Sequence, residues 1–201
     1  MENDNNNLFL DNTYSKAWME HIRKDEEYSA QVMADSVVRD LQFDSVLDFG
    51  SGPGNHINEI FKRKSSIKAF AIDGTSFGED FICDKAINFK QLDFTLPFQS
   101  FDRVDLVTCC EVVEHIDAKY ESVLCDNISG CVGKYLVLTA AIPGQPGNHH
   151  VNCKPLKYWI NLFQTTYGLK YDEAITEKWR NEWRQKKIKF YFYQNLMVFE
   201  R

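Results

Sequence analysis

Nowhere in the 201 residues is there a run of about 18 apolar side chains, so no segment reads as a membrane span. The opening MENDNNNLFLDNTYS lacks the basic-then-apolar order of a secretory signal, and a cytoplasmic location is expected. Positive charge is in deficit. Lys plus Arg number 23 against 29 Asp plus Glu, a net charge of -6 that repels phosphate backbones and anionic bilayers and makes nucleic acid an unlikely partner. The six cysteines include no C-x-x-C pair, and several lie in apolar runs where a thiol acts as a small hydrophobe, so neither a disulfide framework nor a structural zinc site is expected. Internal repeats are absent too. What is present is core material: 44% hydrophobic and 14% aromatic residues, in a chain whose length suits one domain spanning 1–201.

Residues 1–12 are rich in Asn and Asp and are expected to be loose. From Tyr14 to Leu41 apolar residues recur at helical spacing with one break near Lys24-Asp25, which predicts N-terminal helices over 13–41, two in number, lying over the site. Ser45-Val-Leu-Asp-Phe49 then reads as a buried strand, Gly50-Ser-Gly-Pro-Gly54 as a tight loop, and Ile57, Ile60 and Phe61 as one face of a helix. Further strand candidates are 69–72, 87–89, 104–108, 135–139 and 195–199, with helical segments over 119–129 and after Pro155. Near-continuous apolar strands alternating with helices predict an α/β fold, a parallel sheet covered on both faces. Pro143 to Asn152 is the strongest loop signal and follows a strand, at the end where open α/β sheets place ligands. Lys178, Arg180, Arg184, Lys186, Lys187 and Lys189 form the one basic stretch, expected to be a solvated helix face.

A glycine loop between strand and helix lets backbone N–H groups approach a ligand closely. Here it reads G-x-G-x-G with Asp48 two residues ahead, where a dinucleotide fingerprint would read G-x-G-x-x-G and meet a pyrophosphate. An acid in that place suits a ligand carrying an ammonium or sulfonium. Asp73 closes the next strand about 20 residues on, where a carboxylate can accept ribose hydroxyls. The implied ligand is a nucleoside with a cationic, phosphate-free tail.

Val46 to Gly54, Ile72-Asp73-Gly74, Leu92-Asp93-Phe94 and the run Phe101 to Val107 followed by Cys110-Glu-Val-Val-Glu-His115 resemble, in order, motifs of the class I S-adenosylmethionine-dependent methyltransferases. The resemblance implies a Rossmann-like, seven-stranded, mostly parallel sheet with an antiparallel last strand. It also implies S-adenosylmethionine as cofactor, with Asp48, Gly50, Ser51, Gly52, Asp73, Gly74, Asp93, Phe94 and Glu111 in its site, Asp73 on the ribose and Asp93-Phe94 beside the adenine.

On the acceptor side, Glu111, Glu114 and His115 at i, i+3 and i+4 are expected on one face of a first helical turn, near His149 and His150 of the following loop. Glu111, Glu114, His115 and His150 suit a divalent cation, Mg or Mn before Zn. The E-x-x-E-H run is similar to the metal site of small-RNA terminal 2′-O-methyltransferases and of ubiquinone-pathway O-methyltransferases. It is equally similar to metal-independent relatives in which these residues shape the cofactor pocket, and a solvated helix start is the third reading. His149, His150 or His115 would handle the acceptor proton. Tyr14, Trp18 and Tyr158 are expected at the mouth, with aromatic faces suited to sugars, and Trp159 in the core. The stretch Gly147 to Ile160 resembles glycan O-methyltransferases of bacterial polysaccharide clusters and large viruses. The acceptor expected is therefore a sugar hydroxyl of a glycan or small molecule, with RNA, a phenol, or a non-catalytic cofactor-binding partner subunit as alternatives.

Overall fold

A computed structural model describes residues 13–98 and 101–201; the expectation of a loose segment over 1–12 lies outside them. The first helix, α1 (Lys16–Asp40), starts where the Ser15 hydroxyl accepts the Trp18 N–H at 3.3 Å. It is one helix of 25 residues rather than two. Lys24 and Asp25 interrupt the apolar pattern without breaking the backbone: both are exposed, while Ala30, Met33 and Val37 further along are buried.

Behind it follow β1 (Ser45–Phe49), α2 (Asn55–Arg63), β2 (Lys68–Asp73), β3 (Ile87–Gln91), β4 (Val104–Cys110), α3 (Glu121–Cys131), β5 (Val132–Thr139), α4 (Leu156–Thr165), β6 (Lys170–Tyr171), α5 (Glu173–Gln185), α6 (Phe190–Gln194) and β7 (Met197–Glu200). The seven strands form one sheet in the order β3-β2-β1-β4-β5-β7-β6. Strands β1 to β5 pair in parallel, and β7 runs antiparallel to both β5 and β6. The strand order reverses direction beside β1, between β2 and β4, which opens a crevice at the carboxyl ends of those strands.

Strict alternation of strand and helix fails at two crossovers. Between β2 and β3 there is only the 3-10 turn Gly78–Phe81, and between β3 and β4 no described residue is helical. Aromatic side chains cover the sheet instead. Phe94 and Phe98 lie 4.4 and 5.7 Å from the Phe49 ring, and Phe101 lies 6.1 Å from Phe70. Each such ring removes enough apolar area from water to do part of a short helix's work.

One face of the sheet packs α1, α2, α5 and α6 around Val37, Ile57, Ile60 and Phe192, with Trp179 and Trp183 stacked at 5.6 Å. Their indole N–H groups are satisfied by Asp40 Oδ2 at 2.8 Å and Ser36 Oγ at 3.0 Å, which ties α5 to α1. The other face packs α3 and α4 through Leu124, Ile128, Trp159 and Phe163, so Trp159 is core as expected. Along the basic stretch, Lys178 pairs with Asp40, Arg180 with Glu177, Lys186 with Glu182 and Lys189 with Asp25. Those pairings leave no concentrated cationic surface there. All six cysteines are free thiols, and among the described residues no helix is long and apolar enough to cross a membrane.

Candidate active site

Above the carboxyl ends of β1, β2 and β4 lies a cleft of about 540 Å³, the size range of cofactor pockets. The glycine loop forms its floor. Gly50 and Ser51 both donate their N–H to the Ile72 carbonyl at 2.9 Å, and Gly54 donates to Ser51 at 2.8 Å, binding the turn to β2. Gly50 has φ +74, and an added Cβ would stand 2.5 Å from Val112 Cγ2, so both backbone and space demand glycine.

The expected cofactor residues meet in this one cavity: Asp48, Gly50, Ser51, Gly52, Asp73, Gly74, Asp93, Phe94 and Glu111 all line it. Asp48 sits deep, accepting the Thr108 hydroxyl at 2.7 Å, and burial pushes its carboxyl upward against the pull of His56 and Thr108. Asp73 is fixed rather than free to rotate. Oδ2 accepts the Gly52 N–H at 2.8 Å, and Oδ1 accepts both the N–H and the hydroxyl of Thr75, at 2.9 and 2.7 Å. Asp93 is oriented the same way by Thr95, at 2.9 and 2.6 Å.

At the other end the chain departs from the expected helical turn. Val113–His115 is a single 3-10 turn, and Glu111 precedes it with φ +53. The Glu111 N–H is taken by the carbonyl and hydroxyl of Thr139, at 3.1 and 3.0 Å, which bends the backbone before any helix can start. The helical turn is lost, but the Glu111 and Glu114 carboxyls stay close enough for the Glu111 charge to act on Glu114. Glu111 Oε2 accepts from Gln145 Nε2 at 2.9 Å and Oε1 from Asn195 Nδ2 at 3.0 Å. Glu114 is fully buried; Oε1 accepts the Ala141 N–H at 3.1 Å and Oε2 has no partner.

The Glu114 carbonyl accepts the N–H groups of Val151 and Asn152, both at 2.9 Å, which pins the histidine loop beside it. Candidate ligand atoms of Glu114, His115 and His150 consequently lie within 4.8 Å of one another. Glu111 is not in that group, its two oxygens being engaged by amides. His149, at φ +57, lines the cleft outside the group and presents its carbonyl 3.2 Å from His115 Nδ1. The same Nδ1 is 3.0 Å from the Tyr14 hydroxyl. Burial, reinforced by His150, holds the His115 imidazole down at about 4, so it is neutral at pH 7. Burial and then the Glu111 charge push the Glu114 carboxyl well up.

Several lining residues carry no motif. Trp18, Ile22 and Glu26, four residues apart on α1, line one wall together with Tyr14 just ahead of the helix, whereas Tyr158 hydrogen-bonds Glu121 and is not among the residues lining the cleft. Tyr14 and Trp18 hold the expected mouth position. Glu26 Oε1 accepts the Tyr191 hydroxyl at 2.6 Å, and burial raises the Glu26 carboxyl to about 7. His56, Tyr191 and Gln145 also line the cleft, and Asn195 reaches Glu111 from the C-terminal turn; no local pattern marks them.

No family model and no curated protein matches the sequence. Solved structures do match in shape. The magnesium protoporphyrin IX methyltransferase of Synechocystis, with bound SAH, superposes with a TM-score of 0.62 at 16% identity over 89% of this chain and 85% of that one. The O-methyltransferase of a polyketide synthase multienzyme from Brevibacillus brevis, in complex with S-adenosyl-L-homocysteine, gives 0.60 at 18% over 97% and 78%. The plantazolicin methyltransferase, also with SAH, gives 0.67 at 9% over 99% and 95%. With its sheet order, its antiparallel β7 and its glycine loop at the switch point, the chain has the α/β Rossmann-like fold of class I methyltransferases.

Proposed function

We propose that the protein is an S-adenosylmethionine-dependent O-methyltransferase whose acceptor is a sugar hydroxyl. The observation that carries this reading is the joining, in one cleft, of a glycine loop, a ribose-type carboxylate locked by Gly52 and Thr75, and a histidine-bearing loop opposite. Asp93 and Phe94 take the adenine end, Asp73 the ribose, and Asp48 to Gly52 with Glu111 the charged end. The sulfonium methyl is already electrophilic, so these residues mainly align it. Held there, S-adenosylmethionine would supply its methyl group to an acceptor oxygen in line with the carbon–sulfur bond, that bond's electron pair would go to sulfur, and the acceptor proton would pass to a base of this chain. His115, neutral at pH 7, and the loop histidines His149 and His150 stand where that proton is released.

Glu114, His115 and His150 would hold a divalent cation, and the buried Glu114 Oε2, which no donor reaches, fits such an ion. One carboxylate and two imidazoles suit Mn or Zn better than Mg, which prefers oxygen ligands. Bound there, the ion acidifies a hydroxyl. Glu111, fixed by two amides, stays with the cofactor.

Among the described residues the cleft is lined by six acids (Glu26, Asp48, Asp73, Asp93, Glu111, Asp117) and by Lys119 as the one lysine or arginine, which favours an acceptor without phosphates. Tyr14 and Trp18 offer aromatic faces to a sugar ring. Incubation with labelled cofactor and separate panels of glycans, phenols and RNA tests the reading. Transfer to glycans supports it, and transfer confined to RNA or phenols overturns the acceptor. Cofactor binding without transfer to any panel assigns the chain to a partner's subunit.

A further inference from the structure

We propose that Glu26, with Glu111 and His56, receives a primary ammonium group carried by a ligand of the cleft; this rests on the reading of the cleft as a cofactor site. Along the α1 wall, Tyr14, Trp18 and Ile22 present aromatic or apolar surface, and Glu26 ends the stripe with a carboxylate. Only one of its oxygens is used. Oε1 takes the Tyr191 hydroxyl, and no described residue donates a hydrogen bond to Oε2.

A carboxylate so enclosed is expensive to ionise without a cation. Of the charged groups around it, Glu111 at the end of β4 and Asp25 on the same helix are also acids, and Lys189, just before α6, has the smallest pull and is shared with Asp25 at 2.6 Å. Lys119, the cleft's lysine, follows the turn Val113–His115 on the histidine side. Burial consequently drives Glu26 toward its protonated form in the empty cleft, and a cation entering with a ligand restores the charge.

A second observation points the same way. His56 lines the same cleft, stands edge-on to Phe192 at 5.2 Å beside Tyr191, and has an Nε2 that is buried without a hydrogen-bond partner. His56 and Cys110 also share a void with Ala30, one helical turn beyond Glu26 on α1. An ammonium offers three N–H donors and no acceptor. At this end His56 Nε2 and Asn195 Oδ1 are buried without a partner and no described residue donates to Glu26 Oε2, while Glu111 adds charge although its own oxygens are held by amides.

Two ligands could bring that group: the amino-acid tail of the cofactor, which runs from the ribose past the glycine loop, or an amine-bearing acceptor. Calorimetry separates them. Wild type, Glu26→Gln and Glu26→Asp are titrated with S-adenosylhomocysteine and with 5′-methylthioadenosine, which has no amino-acid tail. The proteins loaded with S-adenosylhomocysteine are then titrated with glucosamine and with glucose.

Glu26→Gln should weaken one amine-bearing ligand by roughly tenfold or more, leave its neutral counterpart unchanged, and be partly rescued by Glu26→Asp. Loss confined to S-adenosylhomocysteine assigns the ammonium to the cofactor tail; loss confined to glucosamine assigns it to the acceptor. Unchanged affinity for both amines in Glu26→Gln, or a wild type that does not distinguish amine from neutral ligand in either arm, overturns the proposal alone. A wild type that binds neither nucleoside removes the cofactor reading, and the proposal falls with it.

Discussion

Replacing Glu114 by Gln tests the histidine-carboxylate group from the inside. The change is nearly isosteric: an amide oxygen can still accept the Ala141 N–H that Glu114 Oε1 accepts at 3.1 Å, and the amide NH2 takes the place of the unpartnered Oε2. What it removes is a titrating proton. The Glu114 carboxyl is raised by burial and by Glu111, so above the ordinary carboxyl pKa the folded chain holds a proton that the unfolded chain has released. Stability then falls as pH rises, by about 1.4 kcal/mol for each pH unit between the ordinary pKa and the raised one.

Urea denaturation in chelator across mildly acidic to neutral pH should show wild type losing ground to Glu114→Gln at up to that slope. Every other ionisable side chain is the same in both proteins, so the difference isolates Glu114. Adding Mn should reverse the order. An ion at 100 times its Kd stabilises the wild type by about 2.7 kcal/mol and a protein that has lost a ligand by much less. Parallel pH curves together with identical responses to Mn would refute both the buried proton and the ion.

Gly50→Ala should cost about 1–3 kcal/mol in thermal unfolding and abolish cofactor binding, because φ +74 and the 2.5 Å approach to Val112 leave no relaxed place for a methyl group. Asp73→Ala should weaken S-adenosylhomocysteine by about 2 kcal/mol in calorimetry, and equal affinities would remove Asp73 from the ribose. If His115 is the base, its imidazole held near 4 keeps it in the accepting form, and the rate should stay level from neutrality down to about pH 5. A rate that falls well before pH 5 is reached would remove His115 from that role. Exhaustive chelation should lower turnover while leaving S-adenosylhomocysteine affinity unchanged, and full activity without metal would remove the ion from the reaction.

The parallel core was legible because β1, β2 and β4 are buried on both faces and read as apolar runs, and because the glycine loop must break such a run where it does. Asp73 and Asp93 were legible for the same reason: each closes or follows a strand at the ligand edge. Lys24 and Asp25 misled because a change of exposed charge resembles a break, whereas neither residue disfavours helix as glycine or proline would. Glu111 and Glu114 looked like neighbours on a helix, and it is the pull of Thr139, 28 residues away in sequence, on the Glu111 N–H that replaces the helix start by a bend. Asn195 lies beyond any local pattern, since its partner Glu111 is 84 residues away.

The placement of the tryptophans has an optical consequence. Trp159, Trp179 and Trp183 are fully buried, whereas Trp18 faces the cleft, 5.4 Å from the Tyr14 ring. Emission from the three enclosed indoles should be blue-shifted and insensitive to what enters the cleft, changing only when the core opens. Trp18 alone among the tryptophans meets an incoming nucleoside, so quenching of the red edge reads occupancy while the spectral shift reads unfolding. Untagged protein in a single cuvette therefore offers separate channels for binding and for stability, and replacing Trp18 by Phe should silence the first and leave the second intact.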